Sequence, residues 1–516
     1  MSIKNIKTKP FFDQKPGTSG LRKKVTDFQK KNYLENYIQS IFNASNNSHG
    51  SVLIIGGDGR FYNKKAIQII LKMAAANKIK KCVVGKNGIL STPAASNLIC
   101  KNNAWGGIIL TASHNPAGKN GDFGIKFNSS NGGPSSERMN INIYDQTKII
   151  NEYKIFSSDD LDLSKISDSM LHKMEVSIID PVEDYCILMK NLFDFEMISK
   201  FIHKGFTMKF DAMHAVTGPY AKEIFENVLN LPIGTVLNYE PLEDFGGEHP
   251  DPSPNKIKEK FSKSDIRELD LIASSDGDGD RNLVMGKNIF VSPSDSLALL
   301  AANAHLIPAF PNGINGVARS LPTSKAIDVV AKKIGVKCYE TPTGWKFFSN
   351  LLDKNLINLC GEESFGTGSN HVAEKDGIWA VLAWINLLAV TNLSIPDLLK
   401  RHWNEFGRHY YLRFDYIIPD EKKANKLMDA LCKKINFLSK EEMLEQKITS
   451  ANEFIYTDIT DKSIYKNQIF QIKFIDDARI IFRQSGTETK GSTLRVYFEK
   501  FDLNSENYDL DKIEVC

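Results

Sequence analysis

Ser113 lies in the run TASHNP, residues 111–116, with Thr111 before it and His114 and Asn115-Pro116 after it. The preceding GGIILTA reads as a short buried strand. A serine at such a strand end, on a tight turn, projects its hydroxyl, which is where a covalently working nucleophile belongs. Taken alone, Ser and Asn as plain turn formers would be the simpler reading. Three further segments tip the balance toward chemistry.

In DGDGDR, 276–281, Asp276, Asp278 and Asp280 alternate with glycines, so three carboxylates can converge on one hard cation. An EF-hand is excluded, because the sixth position is Arg281 and the twelfth is Lys287. An acidic surface turn is the competing reading. It accounts poorly for LDLIASS, a strand that feeds the loop from an apolar core, and for the mutual repulsion of three bare carboxylates. Oxygen ligands favour Mg²⁺, with positions left open for a phosphate oxygen. A phosphoryl group on Ser113 would bring such an oxygen and make Ser113 part of the ligand set.

In CGEESFGTGS, 360–369, Glu362 and Ser364 are bracketed by glycines and could exchange hydrogen bonds with sugar hydroxyls. A solvated Gly-rich loop is the plainer alternative. Lys375 follows, then Asp376 as a natural N-cap for the apolar helix from Gly377. Beside the positive helix end the lysine charge is disfavoured, so Lys375 could pass protons near neutral pH; an ordinary exposed lysine is as good an account. In RQSGTETKGSTLR, 483–495, Ser485 and Thr487 offer hydroxyls on a loop closed by Arg483 and Arg495. Small residues admit an anion to the backbone, and paired arginines suit bidentate phosphate contacts. A projecting serine, a metal loop, a sugar loop and a phosphate loop together are the parts for phosphoryl transfer on a phosphosugar.

Several segments combine a buried strand, a polar loop and a helix. They begin with SVLIIGGDGR at 51–60, FTMKFDAMHAVTG at 206–218 and GINGVARSLPTS at 313–324. Such βα beginnings argue for three similar α/β domains. The runs 467–475, 478–483 and 492–498 read instead as strands with short connections, the first turn made by Asp476-Asp477, and predict a smaller α+β C-terminal domain. Boundaries near Ile179-Pro181, Ser292-Ser294 and residue 408 give domains 1–179, 180–292, 293–407 and 408–516.

The chain has 516 residues, 42% apolar and 25% charged, with a net charge of +3. These values describe a globular protein and give no support for a general nucleic-acid or membrane-surface role. Seven scattered cysteines, without a CxxC pair, read as reduced thiols. The N-terminus lacks an apolar core of signal-peptide length, and GIWAVLAWINLLAV, 377–390, is too short to span a bilayer. The expectation is a cytoplasmic protein with a buried apolar helix, and no nucleic-acid or membrane partner.

These motifs closely resemble the α-D-phosphohexomutase superfamily, in its glucose-type phosphoglucomutase branch. TASHNP with GDFGIKFNSSNGGP (121–134), DGDGDR, GEESFGTGS and the Arg483–Arg495 segment carry the resemblance. So do PGTSGLR (16–22), PLEDFGGEHPDP (241–252), ARSLPTS (318–324) and ETPTGWKFF (340–348). The likeness runs in order along nearly the whole chain. It implies three related α/β domains and a smaller fourth around a central cleft. It also implies reversible conversion of glucose 1-phosphate and glucose 6-phosphate, through a phosphoserine and glucose 1,6-bisphosphate, by a monomer or weak dimer. By motif match Ser113 would carry the phosphoryl group and Asp276, Asp278 and Asp280 would hold Mg²⁺. Arg22, His114, Arg281 and Lys375 would assist catalysis, while Thr343, Gly344, Glu362 and Ser364 would contact the sugar. Arg483, Ser485, Thr487 and Arg495 would hold the non-reacting phosphate. The chain departs from the family at Ser275, where an aromatic residue is usual, and at Glu488-Thr489-Lys490, which replaces a smaller, more neutral run.

Overall fold

The structure, a computed structural model, describes residues 2–17, 19–45, 50–437, 440–460, 462–466, 469–487 and 491–503. Its organising unit is a four-strand pattern that occurs three times. In the first domain the strands follow as Val52–Gly57, Lys81–Ile89, Gly106–Leu110 and Asp122–Ser129. The first strand is central, the second and third pair parallel on either side of it, and the fourth returns antiparallel beside the third. The second domain repeats this order with Met208–Asp211, Val236–Leu237, Leu271–Ser274 and Leu283–Gly286. The third does so with Gly316–Ser320, Lys337–Thr341, Leu359–Glu362 and Gly366–Ser369. The three segments that mark βα beginnings in the sequence are the three central strands.

The strands Gly106–Leu110, Leu271–Ser274 and Gly316–Ser320 are buried at every position. Parallel strands covered on both faces by crossover helices favour such buried runs of apolar and small residues, and Arg319, the one charge among them, is paired with Asp328 and Glu340. The first sheet gains Leu21–Lys24 at one edge and Met174–Ile179 with Ser167–Leu171 at the other, for seven strands in all.

The helix Gly377–Thr391 is the hub. Its first twelve residues are buried, and Trp379 and Trp384 are wholly inaccessible. The surrounding core is continuous from Ile54 of the first domain through Phe210 of the second to Leu359 of the third. Truncating either tryptophan to alanine would cost about 3–5 kcal/mol. Asn386, the polar residue in this run, donates to the Leu306 carbonyl at 2.9 Å. Among the described residues no single helix is long and apolar enough to cross a membrane.

The C-terminal domain is a five-stranded antiparallel sheet in the order Arg408–Ile418, Gly491–Asp502, Arg479–Thr487, Ile469–Phe474, Ile448–Glu453. The helix Glu421–Asn436 covers one face, setting Met428 and Ile435 against Phe470, Leu494 and Val496. The other face lays Ile469, Ile481 and Tyr497 on Leu321 of the third domain. Buried Glu499 pins this junction. It accepts from Ser324 Oγ and the Lys325 amide, both at 2.7 Å, and from Arg479 Nε at 2.5 Å. Arg479 also donates to the Leu321 and Thr323 carbonyls.

Candidate active site

Each of the three repeated domains turns its third strand into its fourth at the same cleft, and each of those turns carries functional side chains. The first holds Ser113, the second the three aspartates, the third Glu362 and Ser364.

Ser113 has φ 51°, a left-handed conformation that costs a non-glycine residue free energy of order 1–3 kcal/mol. A buried frame imposes it. The Ser113 amide donates to Thr111 Oγ1 at 2.7 Å, and that hydroxyl donates to Asp58 Oδ2 at 2.6 Å. Arg60 pairs with Asp58 at 2.8 Å and donates to the Ser113 carbonyl at 2.7 Å and the Asp122 carbonyl at 2.9 Å. The hydroxyl is thereby aimed at the second domain, where it donates to Asp276 Oδ2 at 2.7 Å.

Asp276, Asp278 and Asp280 are all buried, and one oxygen from each lies within 4.8 Å of the others. Asp276 Oδ1 accepts from the amides of Asp280 and Arg281, which curls the loop. Burial, with Asp280 and Asp278 beside it, pushes the Asp276 carboxyl well above its ordinary range. Asp278 lies below that range despite its burial, because Lys126 and Lys375 face it. Asp278 Oδ1 and Asp280 Oδ1 are buried without a hydrogen-bond partner. Unsatisfied buried carboxylate oxygens converging at this spacing fit a hard divalent cation.

The sugar-type loop is not a solvated one. Glu362 ends a buried strand and accepts from the Gly344 amide at 2.9 Å through Oε1. Gly344 has φ 131°, open essentially to glycine alone, so the turn that presents Thr343 depends on it. Thr343 Oγ1 and Trp345 Nε1 are buried without hydrogen-bond partners. Asp376 does cap the apolar helix, accepting from the Trp379 amide at 3.0 Å. The expectation that the helix end weakens the Lys375 charge is corrected, however. Burial lowers the lysine, but Asp280, 3.1 Å from Lys375 Nζ, together with Glu362 more than reverses that and raises it above its usual range. His114 behaves in the opposite way. Burial, with Arg281 and Arg22 nearby, holds its imidazole well below the usual range, with Nδ1 3.4 Å from Ser113 Oγ.

Expected as a loop, 483–495 is mostly extended hairpin, in which Arg483 stands directly opposite Arg495 and Ser485 opposite Thr493. Glu488, Thr489 and Lys490 lie outside the described residues, as does the side chain of Thr487. One cleft is lined by Arg22 and His114, by Asp280 and Arg281, by Thr343, Gly344, Glu362, Ser364 and Lys375, and by Arg483, Ser485 and Arg495. Four domains thus contribute to one space, with Ser113, Asp276 and Asp278 buried at its base. Ser275 is buried, with its Oγ close to Gly377.

Some participants carried no role in the sequence reading. Lys126 lies in the cleft, 3.4 Å from Glu374 and 3.8 Å from Asp278, and these carboxylates raise it above its usual range despite burial. A lysine inside the apolar strand Asp122–Ser129 is the signal that marks it. Arg281 is anchored by Asp251 at 2.9 Å, from the PLEDFGGEHPDP segment. Arg60 was visible as a charged residue just past an apolar strand, two residues from Asp58, but nothing in the sequence linked it to Ser113.

The chain matches sequence models described as phosphoglucomutase/phosphomannomutase alpha/beta/alpha domain I over residues 13–154, domain II over 183–289 and domain III over 293–406. A fourth, the phosphoglucomutase-1 C-terminal domain, matches 408–516. It is 52% identical over 510 residues to a phosphoglucomutase of Rhizobium radiobacter, covering 99% of this chain and 94% of that protein. It is 46% identical to the cytoplasmic phosphoglucomutase of Populus tremula, covering 97% and 92%. The crystal structure of the exocytosis-sensitive phosphoprotein parafusin, a phosphoglucomutase of Paramecium, in its open form superposes with a TM-score of 0.90 at 46% identity, covering 99% and 94%. Three related α/β domains and a C-terminal sheet around one charged cleft define a phosphohexomutase, an enzyme of the isomerase class. The chain belongs to the phosphoglucomutase family, of the glucose-specific type.

Proposed function

We propose that this enzyme interconverts glucose 1-phosphate and glucose 6-phosphate through phosphorylated Ser113 and a glucose 1,6-bisphosphate intermediate. The observation that carries the reading is the 2.7 Å bond from Ser113 Oγ to Asp276, in a cleft whose C-terminal-domain wall holds Arg483 and Arg495. One end of that cleft suits a phosphoryl group in transit and the other a phosphate at rest.

In the forward direction the sugar 6-hydroxyl of glucose 1-phosphate attacks the phosphorus on Ser113. The new P–O bond forms as the P–Oγ bond breaks, and the hydroxyl proton leaves to a base in the cleft. His114, neutral and lining the cleft, is that acceptor; Lys375 and Lys126, held as cations, neutralise charge instead. The bisphosphate then reorients and returns its 1-phosphoryl group to Ser113, releasing glucose 6-phosphate. Glu362 and Ser364 hold the sugar hydroxyls with Thr343 and Gly344. Arg483, Ser485, Thr487 and Arg495 hold the far phosphate, and Arg22 and Arg281 flank the transfer. Asp276, Asp278 and Asp280 would hold Mg²⁺ as the resident cofactor, which supplies Lewis-acid stabilisation of the transferring phosphoryl oxygens. A cytoplasmic location is supported by the name of the poplar relative, and a monomer or weak dimer completes the reading.

The test is conversion of glucose 1-phosphate with Mg²⁺ and a trace of the bisphosphate. Intact-mass measurement should find one phosphoryl group on Ser113, and Ser113→Ala should abolish turnover. Full activity in Ser113→Ala would end this reading.

A further inference from the structure

The turn between Glu362 and Ser364 contains a carboxylate that faces away from the sugar site. Glu363 is 7% exposed, and both its oxygens are taken by the C-terminal sheet: Oε2 by Arg413 Nη1 at 3.0 Å and Oε1 by the Tyr497 hydroxyl at 3.1 Å. Its amide donates to Thr323 Oγ1 at 3.0 Å, so the backbone is fixed as well. Each partner leads on to an arginine of the cleft. Tyr497 stands diagonal to Arg483 in the hairpin register, two residues beyond Arg495 on the same face of the strand. Arg413 pairs with Asp415 at 3.0 Å, and the other oxygen of Asp415 lies 3.5 Å from Arg495 Nε.

We propose that Glu363 is a positioning residue for the mutase reaction, holding Arg483 and Arg495 at a fixed spacing from the sugar-binding Glu362 and Ser364. This rests on the roles assigned to those four residues above. The two relays are separate, one through Tyr497 and one through Arg413 and Asp415, and they end on the two arginines that stand opposite each other in the hairpin. An ion pair that served stability alone would need one partner, and apolar residues could replace it without loss. Here one buried carboxylate sits where both relays begin. Burial pushes its carboxyl up, but Arg413, Arg495 and Arg483 more than reverse that, so it stays charged at neutral pH. Because Glu363 adjoins both sugar-binding residues in the chain, any shift of the C-terminal sheet is felt at Glu362 and Ser364. A bisphosphate that presents either end in turn needs both anchors at one distance.

The experiment uses the full chain and the variants Glu363→Gln, Tyr497→Phe and the pair together. Glucose 1-phosphate kinetics, calorimetric titration with glucose 1,6-bisphosphate and thermal unfolding are measured on each. Glu363→Gln should raise KM and weaken bisphosphate binding about tenfold, with kcat falling less, since a charged hydrogen bond is lost from positioning. Tyr497→Phe should show the same split. The double variant should be no worse than about twofold beyond Glu363→Gln, because residues acting through one relay are not additive. Unchanged KM and bisphosphate affinity, or single effects that multiply, would overturn the proposal. If Glu363→Gln fails to fold, Tyr497→Phe decides alone, and wild-type KM and binding in it would be decisive against. A wild type inactive on glucose 1-phosphate would instead sink the proposed function, while the titration still judges Glu363.

Discussion

The Arg60 guanidinium donates to the Ser113 carbonyl at 2.7 Å while pairing with Asp58, so the strained Ser113 backbone is held by a charge that is itself fully buried. Removing that charge alone should be doubly costly. Arg60→Met leaves Asp58 bare in the core and should lose about 3–5 kcal/mol of stability. Adding Asp58→Asn should recover most of that, as followed by chemical denaturation. Activity should stay at least about tenfold down in the double variant, since a Ser113 carbonyl without its donor no longer fixes the hydroxyl. Recovery of both together would show that Arg60 serves only the fold.

The aspartate loop makes a prediction independent of turnover. Three converging buried carboxylates, two of them with an unpaired oxygen, are relieved by a cation, so Mg²⁺ should raise the melting temperature of chelator-treated protein. Saturation to a hundred times the dissociation constant is worth about 2.7 kcal/mol. The shift should vanish in Asp278→Asn. A shift of equal size in that variant would place the cation elsewhere.

Arg495 stands opposite Arg483 at the far end of the cleft. Its loss should remove ground-state and transition-state binding alike. Arg495→Met should therefore raise KM for glucose 1-phosphate about 10- to 100-fold with a smaller change in kcat, the span expected of charged hydrogen bonds to phosphate. Steady-state kinetics with a normal melting curve checks this.

Stability should fall in mild acid because of His402. It is buried on the helix Ile395–Phe406, its ring tilted against Phe406 at 4.9 Å between centroids, with Nδ1 unpaired. Burial pushes its imidazole down to about 4 from 6.5, with Arg401 and His409 adding to the effect and Glu405 opposing it. The neutral form is the one that folds. Its contribution is complete above the unfolded value of 6.5 and is lost as pH falls from there toward 4. The full loss is up to about 3 kcal/mol. His402→Gln should flatten unfolding free energy over that window; an unchanged slope would exonerate the residue.

Much of the site was legible because its signals are local. An apolar run ending in TASHNP fixes a strand, a turn and a projecting serine within a few residues. Alternating aspartates and glycines report their convergence without help from the fold, and Asp376 marks the start of its helix. What escaped depends on contacts far along the chain. Arg60 meets Ser113 across 53 positions and Glu363 meets Tyr497 across 134, and neither pairing leaves a local pattern. Lys375 was misjudged for the same reason: the helix end that weakens its charge is adjacent, whereas Asp280 arrives from another domain. The phosphate segment looked like a loop because its glycines are depleted from strands and its serines favour turns. Nine consecutive partner pairs within the hairpin, and eleven with the strand Arg408–Ile418, override that preference only once the sheet is assembled.

The repetition of one strand order three times sets three turns of the same design around one space. They belong to different sheets, yet they touch: Ser113 Oγ donates to Asp276, and Asn282 donates through its amide and its side chain to the Phe365 carbonyl. A change at one turn is therefore carried to its neighbours, and the three copies are bound to alter in step.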